Sequence, residues 1–586
     1  MGFFRRAACA WLLFLIGAQP IAWAAASDEA QVFHVARLHE NADDTHKGTA
    51  QAPLATLGEA IRRALPQLAE GAAVQIEIGP GVYRERLEVV LPQLDADAPR
   101  GALTLRSEAP VILSGADIAD DWTPASNYYL TPWPHATGAV TFPPEIEANY
   151  ARDGQPIPWL IRQREMLFLR TENQPRAIRL PMVAPAQKIE KGTFTLFPDS
   201  GQIALFPPHN YRLGPGAVLI SNPARSRLLH VSGLDRFSLQ GPIEFRHAAG
   251  VLGDRPAAVE IENTRDVRIE GATFEHNNTY GLTVTACASV TLRDLKVQRN
   301  GLGGLIVKDS DTVTVDDCVV RLNDWRGFEA GITPVGAIGA SFEGNANVSI
   351  TKSRFLDNKC DALHIANRDS PDESVNLADL SLINNGGHAL YVFSDRATIS
   401  DTVFALNAAS TNLRGRIELV RCIFYDNGPA SILQTEDLEL PFAQLNCFGG
   451  GAQGDGVTAT RITLADSILA NRNAAPQVAL LEWTAPISEA TADTFTGRQN
   501  IYFTRGETPA SFRVETHFTD LTQWRELVQS DITSIETDPL LSGAPRLDFV
   551  PHPTSPAYRK QRWPKSVLET AAGTAWLELQ AVTAAE

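Results

Sequence analysis

Alternating apolar and polar residues recur in short stretches between residues 267 and 434, as in VTLRDLKVQRNGLGGLIV and VSITKSRFLDNKCDALHI. The apolar members are mostly β-branched or aromatic, and turn-forming residues separate the stretches. Alternation with a period of two predicts short strands that bury one face. Each stretch also holds one asparagine at an equivalent place: Asn277, Asn300, Asn323, Asn358, Asn385, Asn407 and Asn427.

The spacing of this asparagine predicts a solenoid. Its steps are 23, 23, 35, 27, 22 and 20 residues, so a unit of about 23 residues repeats with one long insertion. Mostly apolar residues stand eight and three places before the asparagine and five and seven places after it. We therefore predict an all-β fold, a right-handed parallel β-helix, with the asparagines hydrogen-bonded to one another at a bend. A leucine-rich solenoid is disfavoured because its leucine spacing and helices are missing.

Two outward slots of the predicted coils carry side chains that can do chemistry. Neighbours in one slot of adjacent coils should lie about 4.8 Å apart. The same coils contain the longer segments GITPVGAIGASFEGNAN and ANRDSPDESVN, which we expect to wall a groove. Six places after the asparagine stand Thr283, Ile306, Glu329, His364, Tyr391, Leu413 and Leu433. Three places after it stand Tyr280, Gly303, Arg326, Asp361 and His388.

The first 24 residues have the three parts of a secretory signal. Arg5 and Arg6 precede an apolar run at 11–16, and Ala22-Trp23-Ala24 is a small-x-small cleavage site. The run is too short to cross a bilayer, so we expect export to the periplasm or the medium, without a membrane span.

Net charge limits the classes of partner, and the cysteine count limits disulfides and metal sites. The formal net charge is −17, and removal of two arginines with the signal gives −19. This balance disfavours nucleic acid and anionic membranes as partners, whereas a local basic groove leaves an acidic polysaccharide open. Five cysteines remain after Cys9 is removed, without CxxC or zinc spacing, so we expect core packing, with Cys318 and Cys422 in one apolar slot.

Four segments resemble secreted pectate-lyase-like β-helix proteins, in particular a carbohydrate-active subgroup with an inserted β module. GTAQAPLATLGEAIRRAL resembles the entry to the fold, and its Thr56 and Glu59 have capping-box spacing for a helix that caps the open end. LTLRSEAPVILSGADIADDWTPA resembles the first coils, REMLFLRTENQPRAIRLP the inserted module, and DLTQWRELVQSDITSIETDPLL the last coil. The predicted segments are the signal (1–24), cap and first coils (27–125), inserted module (126–215), central coils (216–450), last coils (451–560) and tail (561–586).

Glycoside hydrolysis is the reaction that the resemblance favours. It needs a general acid and a second carboxylate. Glu329 and Asp361 are the best pair, with Asp324 and Glu343 in reserve, while Arg326 or His364 would adjust the pKa of the acid and orient hydroxyls. The further candidates for substrate binding are Tyr391, His388, Trp325, Asp324 and Lys359.

Two alternatives stay open. A polysaccharide lyase would use Arg326 to neutralise a uronate, His364 or His388 as base and Tyr391 as acid. Calcium would then be a possible cofactor, whereas no cofactor is expected for hydrolysis. A non-catalytic glycan- or surface-binding protein would need none of this chemistry, and Arg326 with Asp361 would then be a surface ion pair.

One departure weakens the resemblance. Members of the subgroup tend to carry an acid just after the strands that here have the sequences ALHIA and ALYVF, where this chain has Ala366 and Phe393. The resemblance therefore implies that the carboxylates have moved or are lost.

Overall fold

The computed structural model describes most of the chain. The described residues are 30–92, 100–135, 144, 162–171, 174–184, 189–209, 211, 213–251, 257–326, 337–367, 373–428, 442–447, 460–472, 478–483, 494–505, 512–514, 517–541, 543–544, 549 and 551–557.

Three long ladders of short parallel strands build the molecule, and each coil contributes one strand to each ladder. In a typical coil the first strand is Tyr280–Thr285, the second Ser289–Arg293 and the third Lys296–Gln298. Each pairs with its counterpart 23 residues later, for example Leu282 with Leu305. The all-β parallel β-helix predicted from the repeat is confirmed.

The strands of each ladder follow in chain order. The first ladder contains Leu87–Val90, Leu229–Ser232, Ala257–Glu262, Tyr280–Thr285, Gly303–Lys308, Ile338–Glu343, Asp361–Ala366, the first part of His388–Ser400 and of Ala409–Val420, Phe442–Cys447, Val478–Trp483 and Phe512–Val514. The second contains Gln31–Val35, Ala73–Ile78, Ala102–Arg106, Arg236–Gln240, Asp266–Glu270, Ser289–Arg293, Thr312–Asp316, Asn347–Thr351, Ser374–Ala378, residues 396–400 and 416–420, Arg461–Ala465 and Phe495–Arg498. The third contains Gly81–Tyr83, Val111–Ser114, Ile243–Arg246, Thr273–Glu275, Lys296–Gln298, Val319–Arg321, Arg354–Leu356, Ser381–Ile383, Val403–Ala405, Ile423–Tyr425, Ile468–Asn471, Ile501–Thr504 and Ile535–Glu536.

The core is a set of side-chain ladders inside the coils. Alternate residues of each strand point inward, so that one apolar cluster runs from Phe33 to Val528. Rings stack between neighbouring coils, with centroids 5.4 Å apart for Phe245 and Phe274 and 4.7 Å apart for Phe404 and Phe424. Burial of this much apolar surface is the main favourable term in folding.

The predicted asparagine ladder is confirmed. Asn358 Oδ1 accepts from the backbone N–H and the side-chain amide of Asn323, at 3.1 and 2.9 Å. Its own amide donates to Asn385 Oδ1 at 2.9 Å and to the Val320 carbonyl at 3.1 Å. The same bonds connect every step from Asn277 to Asn427. The residue before each asparagine is in the left-handed region, as at Leu322 with φ +56°, and this makes the bend.

Two helices cap or close the coils. The first, Leu57–Ala69, begins at Thr56, whose side chain accepts from the Glu59 backbone N–H at 3.3 Å. The predicted capping box is only half formed, because the Glu59 carboxylate pairs with Arg62 and Arg63 instead. The second, Leu521–Val528, has a complete capping box between Asp520 and Gln523, and its preceding strand His517–Thr519 is antiparallel to Phe512–Val514. No helix among the described residues is long and apolar enough to cross a membrane.

An antiparallel module is inserted between the third-ladder strand Val111–Ser114 and the first-ladder strand Leu229–Ser232. One sheet contains Ala116–Ile118, Leu167–Thr171, Gln174–Leu180 and Val218–Ser221, and the other contains Thr123–Ala125, Tyr128–Pro132, Thr193–Phe197 and Gln202–Phe206. The first of these strands begins before residue 126 and the last ends after residue 215, the bounds given from sequence. Short 3-10 turns lie at Pro198–Ser200 and Pro223–Arg225.

The structure changes the register predicted after Asn323. The first-ladder strand of that coil is Ile338–Glu343, with Ser341 paired to His364, whereas the spacing rule placed the strand around Phe328. The additional 12 residues therefore precede the strand. Alternation alone could not separate the two registers, because FEA and ASF each offer two inward apolar residues.

All five cysteines in the described coils are buried. Burial raises the pKa of the Cys318 thiol to about 12 and that of Cys287 to about 11, so both are protonated thiols. The expectation of core packing is confirmed for Cys318 and Cys422, which belong to the central apolar cluster.

Replacing Asn358 by alanine should destabilise the protein by roughly 3 kcal/mol or more, because buried donors and acceptors on both neighbouring coils lose their partner. Urea denaturation followed by circular dichroism measures this change. The control is Lys359→Ala on the exposed neighbouring residue, which should shift stability by less than about 0.5 kcal/mol. Equal effects of the two variants would show that the ladder contributes nothing specific.

Candidate functional site

A column of outward side chains on the first ladder forms the candidate site. Ser341, His364, Tyr391 and Asn412 are paired in register on four consecutive coils. The flanking inward residues, such as Leu363 and Ile365, are fully buried, which fixes the orientation of the strand. The column is therefore held by hydrogen-bonded backbone and not by a loop.

Asp361, His388 and Tyr391 form a hydrogen-bonded chain beside this column. Asp361 Oδ1 accepts from the His388 backbone N–H at 2.6 Å and lies 3.1 Å from His388 Nδ1. His388 Nε2 lies 3.4 Å from the Tyr391 hydroxyl oxygen. The carboxylate orients the ring of His388, and the ring in turn faces the phenol. This arrangement can move a proton between Tyr391 and His388.

Burial controls the protonation of the two neighbouring rings. It lowers the pKa of His364, against the opposing negative charges of Glu343 and Asp361, so His364 is neutral near pH 7. Burial also raises the pKa of Tyr391, with the charge of Asp361 adding to it, so the phenol keeps its proton. The centroids of the His364 and Tyr391 rings are 5.7 Å apart in an edge-on contact. A neutral imidazole next to a protonated phenol is a base beside an acid.

Glu343 stands at the far end of the column. Its carboxylate is 3.9 Å from His364 Nδ1, accepts from the Ser341 hydroxyl at 2.9 Å and is 3.4 Å from Lys308 Nζ. Register puts Glu343 in the slot that holds Ala366 and Phe393 on the next two coils. The acid missing from those two places is therefore present one coil earlier.

Two carboxylates of the cluster are too far apart to act directly on one bond. Asp361 pairs with Ile338, five residues before Glu343 on the same strand. Strand rise and coil spacing then separate the Cα atoms of Asp361 and Glu343 by roughly 17 Å. Glycosidase carboxyl groups lie about 5 to 9.5 Å apart. A hydrolase built on Asp361 therefore needs a different second carboxylate.

The predicted slots need three corrections. Ser341, not Glu329, is the register partner of His364, and Ile338, not Arg326, is that of Asp361. Asn412, not Leu413, pairs with Tyr391, because only 21 residues separate these partners and one residue is lost after Asn407. Leu413 is buried in the core. Glu329 and Leu433 lie outside the described residues, so the role given to Glu329 stays a prediction.

Arg326 and Trp325 contact the inserted module. Arg326 is buried, and its guanidinium donates to Asn278 Oδ1 at 2.9 Å and to the Gln163 carbonyl at 2.8 Å. Arg179 and Arg326 lie over the Trp325 ring, 3.7 and 4.6 Å from its centroid. The structure thus puts both residues at the junction between module and coils, away from the column predicted to hold Arg326.

The two remaining predicted residues lie at equivalent places in the bends of two successive coils. Asp324 is fully buried with φ +65°, and its backbone N–H donates to the Asn300 carbonyl at 2.9 Å. Lys359 occupies the equivalent place on the next coil and is exposed. Lys359 therefore faces solvent beside Asp361, whereas Asp324 is inaccessible to a substrate in this conformation.

Sequence reasoning missed the polar residues that extend the column. Beyond Asn412 the register continues through Asn446 and Glu482 to Arg513. Glu482 is buried, which raises its pKa to about 7 against the positive charge of Arg513, 3.8 Å away. The single charged residue of VALLEW, fifth of its six residues, was the available signal, because a carboxylate in so apolar a strand is not needed for packing.

Burial at the module junction gives a pH-dependent prediction. Burial raises the pKa of Glu165 to about 7 from an ordinary 4.5, despite Arg164 and Arg326 nearby. The unfolded chain therefore loses this proton at lower pH than the folded chain does. The contribution of protonated Glu165 to the free energy of unfolding is fully present below pH 4.5 and is lost as pH rises through 7.

Glu165→Gln should therefore gain stability relative to the parent by up to about 3 kcal/mol between pH 4.5 and pH 8. Urea midpoints of both proteins across this range measure the difference. The exposed module variant Glu190→Gln is the control and should give a difference that is flat with pH. A flat difference for Glu165→Gln as well would contradict the assignment.

Comparisons with known proteins agree with this fold. The family model described as a right-handed β-helix region matches residues 248–374. The solved structure of XylC in complex with xylose is 11% identical, covers 83% of this chain and 86% of its own, and superposes with a TM-score of 0.54.

Two further structures have lower scores. A glycoside hydrolase is 11% identical over 85% of this chain and 98% of its own, with a TM-score of 0.44. A GH136 lacto-N-biosidase from Eubacterium ramulus is 8% identical over 83% and 68%, with a TM-score of 0.26. A search of curated proteins found no match. The family match supplies the hand of the coils, and the chain is a right-handed parallel β-helix protein, as its repeats predicted.

Proposed function

We propose that this protein is an exported carbohydrate-active enzyme that cleaves glycosidic bonds, with Asp361, His388 and Tyr391 as its proton-transfer centre. The hydrogen-bonded chain of these three side chains is the observation that carries the proposal. The sugar would lie on His364 and Tyr391, the two partly exposed members of the column. The shared fold with XylC, solved with xylose, supports a saccharide as substrate.

Hydrolysis is the reaction we favour. Tyr391 would give its proton to the departing glycosidic oxygen and be reprotonated from solvent through His388, which Asp361 would hold in the required orientation. A water molecule, deprotonated by a second carboxylate, would attack the anomeric carbon. The second carboxylate in this proposal is Glu329, because Glu343 is too distant from Asp361 and Asp324 is buried. Phe393, with its centroid 5.7 Å from that of Tyr391, adds an apolar surface for a sugar ring.

Elimination on a uronate polymer is the second candidate. The neighbouring positions of a neutral base, His364, and a protonated acid, Tyr391, favour it. Neutral His364 would remove the proton beside the uronate carboxylate, and protonated Tyr391 would donate to the departing oxygen. The burial of Arg326 removes the cation first assigned to this carboxylate. Lys359, exposed beside Asp361, is the substitute.

Incubating the purified protein with a panel of neutral and acidic polysaccharides should release reducing ends. Absorbance near 235 nm, followed in the same samples, reports the double bond that only elimination leaves. Reducing ends without absorbance would support hydrolysis, and both signals together would support elimination. A parallel set with chelator tests for a calcium requirement. Intact substrate throughout the panel, with binding retained, would replace the enzyme proposal by a binding protein.

Tyr391→Phe and Asp361→Asn should each lower kcat by about 100-fold or more, because each breaks the proton path while keeping the shape. Initial rates on the substrate found above measure the loss. Thr283→Val, in the same outward slot two coils before Ser341, is the matched control and should keep parental rates.

Glu329→Gln separates the two reactions. If Glu329 is the second carboxylate of a hydrolase, this variant should lose about 100-fold in kcat or more. Parental activity in Glu329→Gln would remove Glu329 from the mechanism.

A further inference from the structure

Three arginines stand in register on the outward face of the second ladder. Arg396 pairs with Arg416, and Arg416 pairs with Arg461, so the three occupy one slot of three consecutive coils. All three are exposed, while the residues that follow them, Ala397, Ile417 and Ile462, are buried in the core. Because coil spacing is about 4.8 Å, the strands hold three like charges in a line. We call this set the arginine column.

The arginine column lines a cavity. The cavity has a volume of about 430 Å³, which lies in the range typical of small-molecule sites. Its other polar walls are Thr398, Glu418 and Thr463, which are in register with one another in the slot two residues along. Three guanidinium groups against one carboxylate leave the walls net positive.

The charge of this column is not neutralised as it is elsewhere on the same ladder. On other coils Arg236 pairs with Asp266 at 3.0 Å and Arg293 with Asp316 at 3.8 Å. Within the described part of the chain, no carboxylate lies within 4.0 Å of the guanidinium groups of the arginine column. Arg416 Nε donates to a backbone oxygen, that of Asp395, at 3.1 Å.

Like charges held one coil apart repel one another even in water. A bound anion would offset this repulsion. The positive charge is also local, because the preceding coil carries Ser374 next to the Val375 that pairs with Ala397, and the protein as a whole has a formal charge of −17. Long polyanions such as nucleic acid are therefore repelled by the rest of the surface.

We propose that the arginine column is a binding site for an acidic saccharide, a sugar chain that carries carboxylate or sulfate groups. A guanidinium group binds either anion through two parallel N–H bonds. Glu418 accepts bonds from sugar hydroxyls, and the hydroxyls of Thr398 and Thr463 complete the polar contacts. The site is separate from the proton-transfer centre, and it is tested by binding, so it does not depend on the proposed reaction.

Binding of a galacturonate trisaccharide to the full chain, measured by calorimetry, tests the site. We expect the acid to bind and its methyl ester, which has the same shape without charge, to bind at least about tenfold more weakly. The acid's affinity should fall as salt is raised. A sulfated trisaccharide in a second arm shows which anion is preferred, and binding of either one supports the proposal.

Arg416→Gln should weaken binding of the acid about tenfold, because the central charge of the column is lost, and Arg461→Gln should do the same. The matched control is Arg293→Gln, an exposed arginine on the same ladder that already has a carboxylate partner, which should bind like the parent. Thermal melting verifies that each variant is folded. Equal affinity for acid and ester, parental binding in both column variants, or tighter binding to single-stranded DNA through the same arginines would overturn the proposal.

Discussion

Hydrogen bonding between successive coils is the constraint on which this structure depends. The backbone pairs in parallel register along three ladders, and the buried asparagines repeat that pairing with their side chains. Every asparagine bonds both to the coil before it and to the coil after it, so a length change in one coil cannot displace the ladder. Length changes fall in the connections between strands, as the 12 additional residues before Ile338–Glu343 and the long connection from Asp361–Ala366 to Ser374–Ala378 show.

This constraint explains what the sequence could and could not predict. The ladder from Asn277 to Asn427 and the inward Phe, Leu and Val positions follow from period and alternation, because fold stability requires them at fixed places. Outward slots carry no such requirement, so counting from the asparagine failed wherever a coil had gained or lost residues before its strand. Ser341 and Asn412 were missed for this reason, whereas His364, Tyr391 and Asp361, in coils of regular length up to the strand, were assigned to the correct slots.

Arg326 shows a different limit. Its place after the bend suggested an outward charge, but Gln163 of the inserted module, distant in sequence, covers it, and its guanidinium lies over the ring of its neighbour Trp325. No local pattern reports a contact between residues 163 positions apart. Burial lowers the pKa of Arg326 to about 9, with the charge of Arg179 adding to it, and burial raises the pKa of Glu165 to about 7. At the junction of module and coils, burial accounts for the shifted pKa values of these ionisable groups, and no catalytic role is needed to explain them.

The proton-transfer centre and the arginine column share one strand, His388–Ser400, which carries His388 and Tyr391 in its first part and Arg396 in its second. In most coils a turn separates the first strand from the second, but His388–Ser400 and Ala409–Val420 run without interruption through the bend. In the second of these strands the bend requires a glycine, because φ of Gly415 is +118° and a Cβ there would lie 1.7 Å from the Ser394 carbonyl oxygen. Tyr391 and Arg396 are five residues apart, at most about 17 Å of extended chain. A hydrogen-bonded strand, and not a loop, connects the two sites. The distance between a saccharide bound at the proton-transfer centre and the arginine column is therefore fixed by the strand.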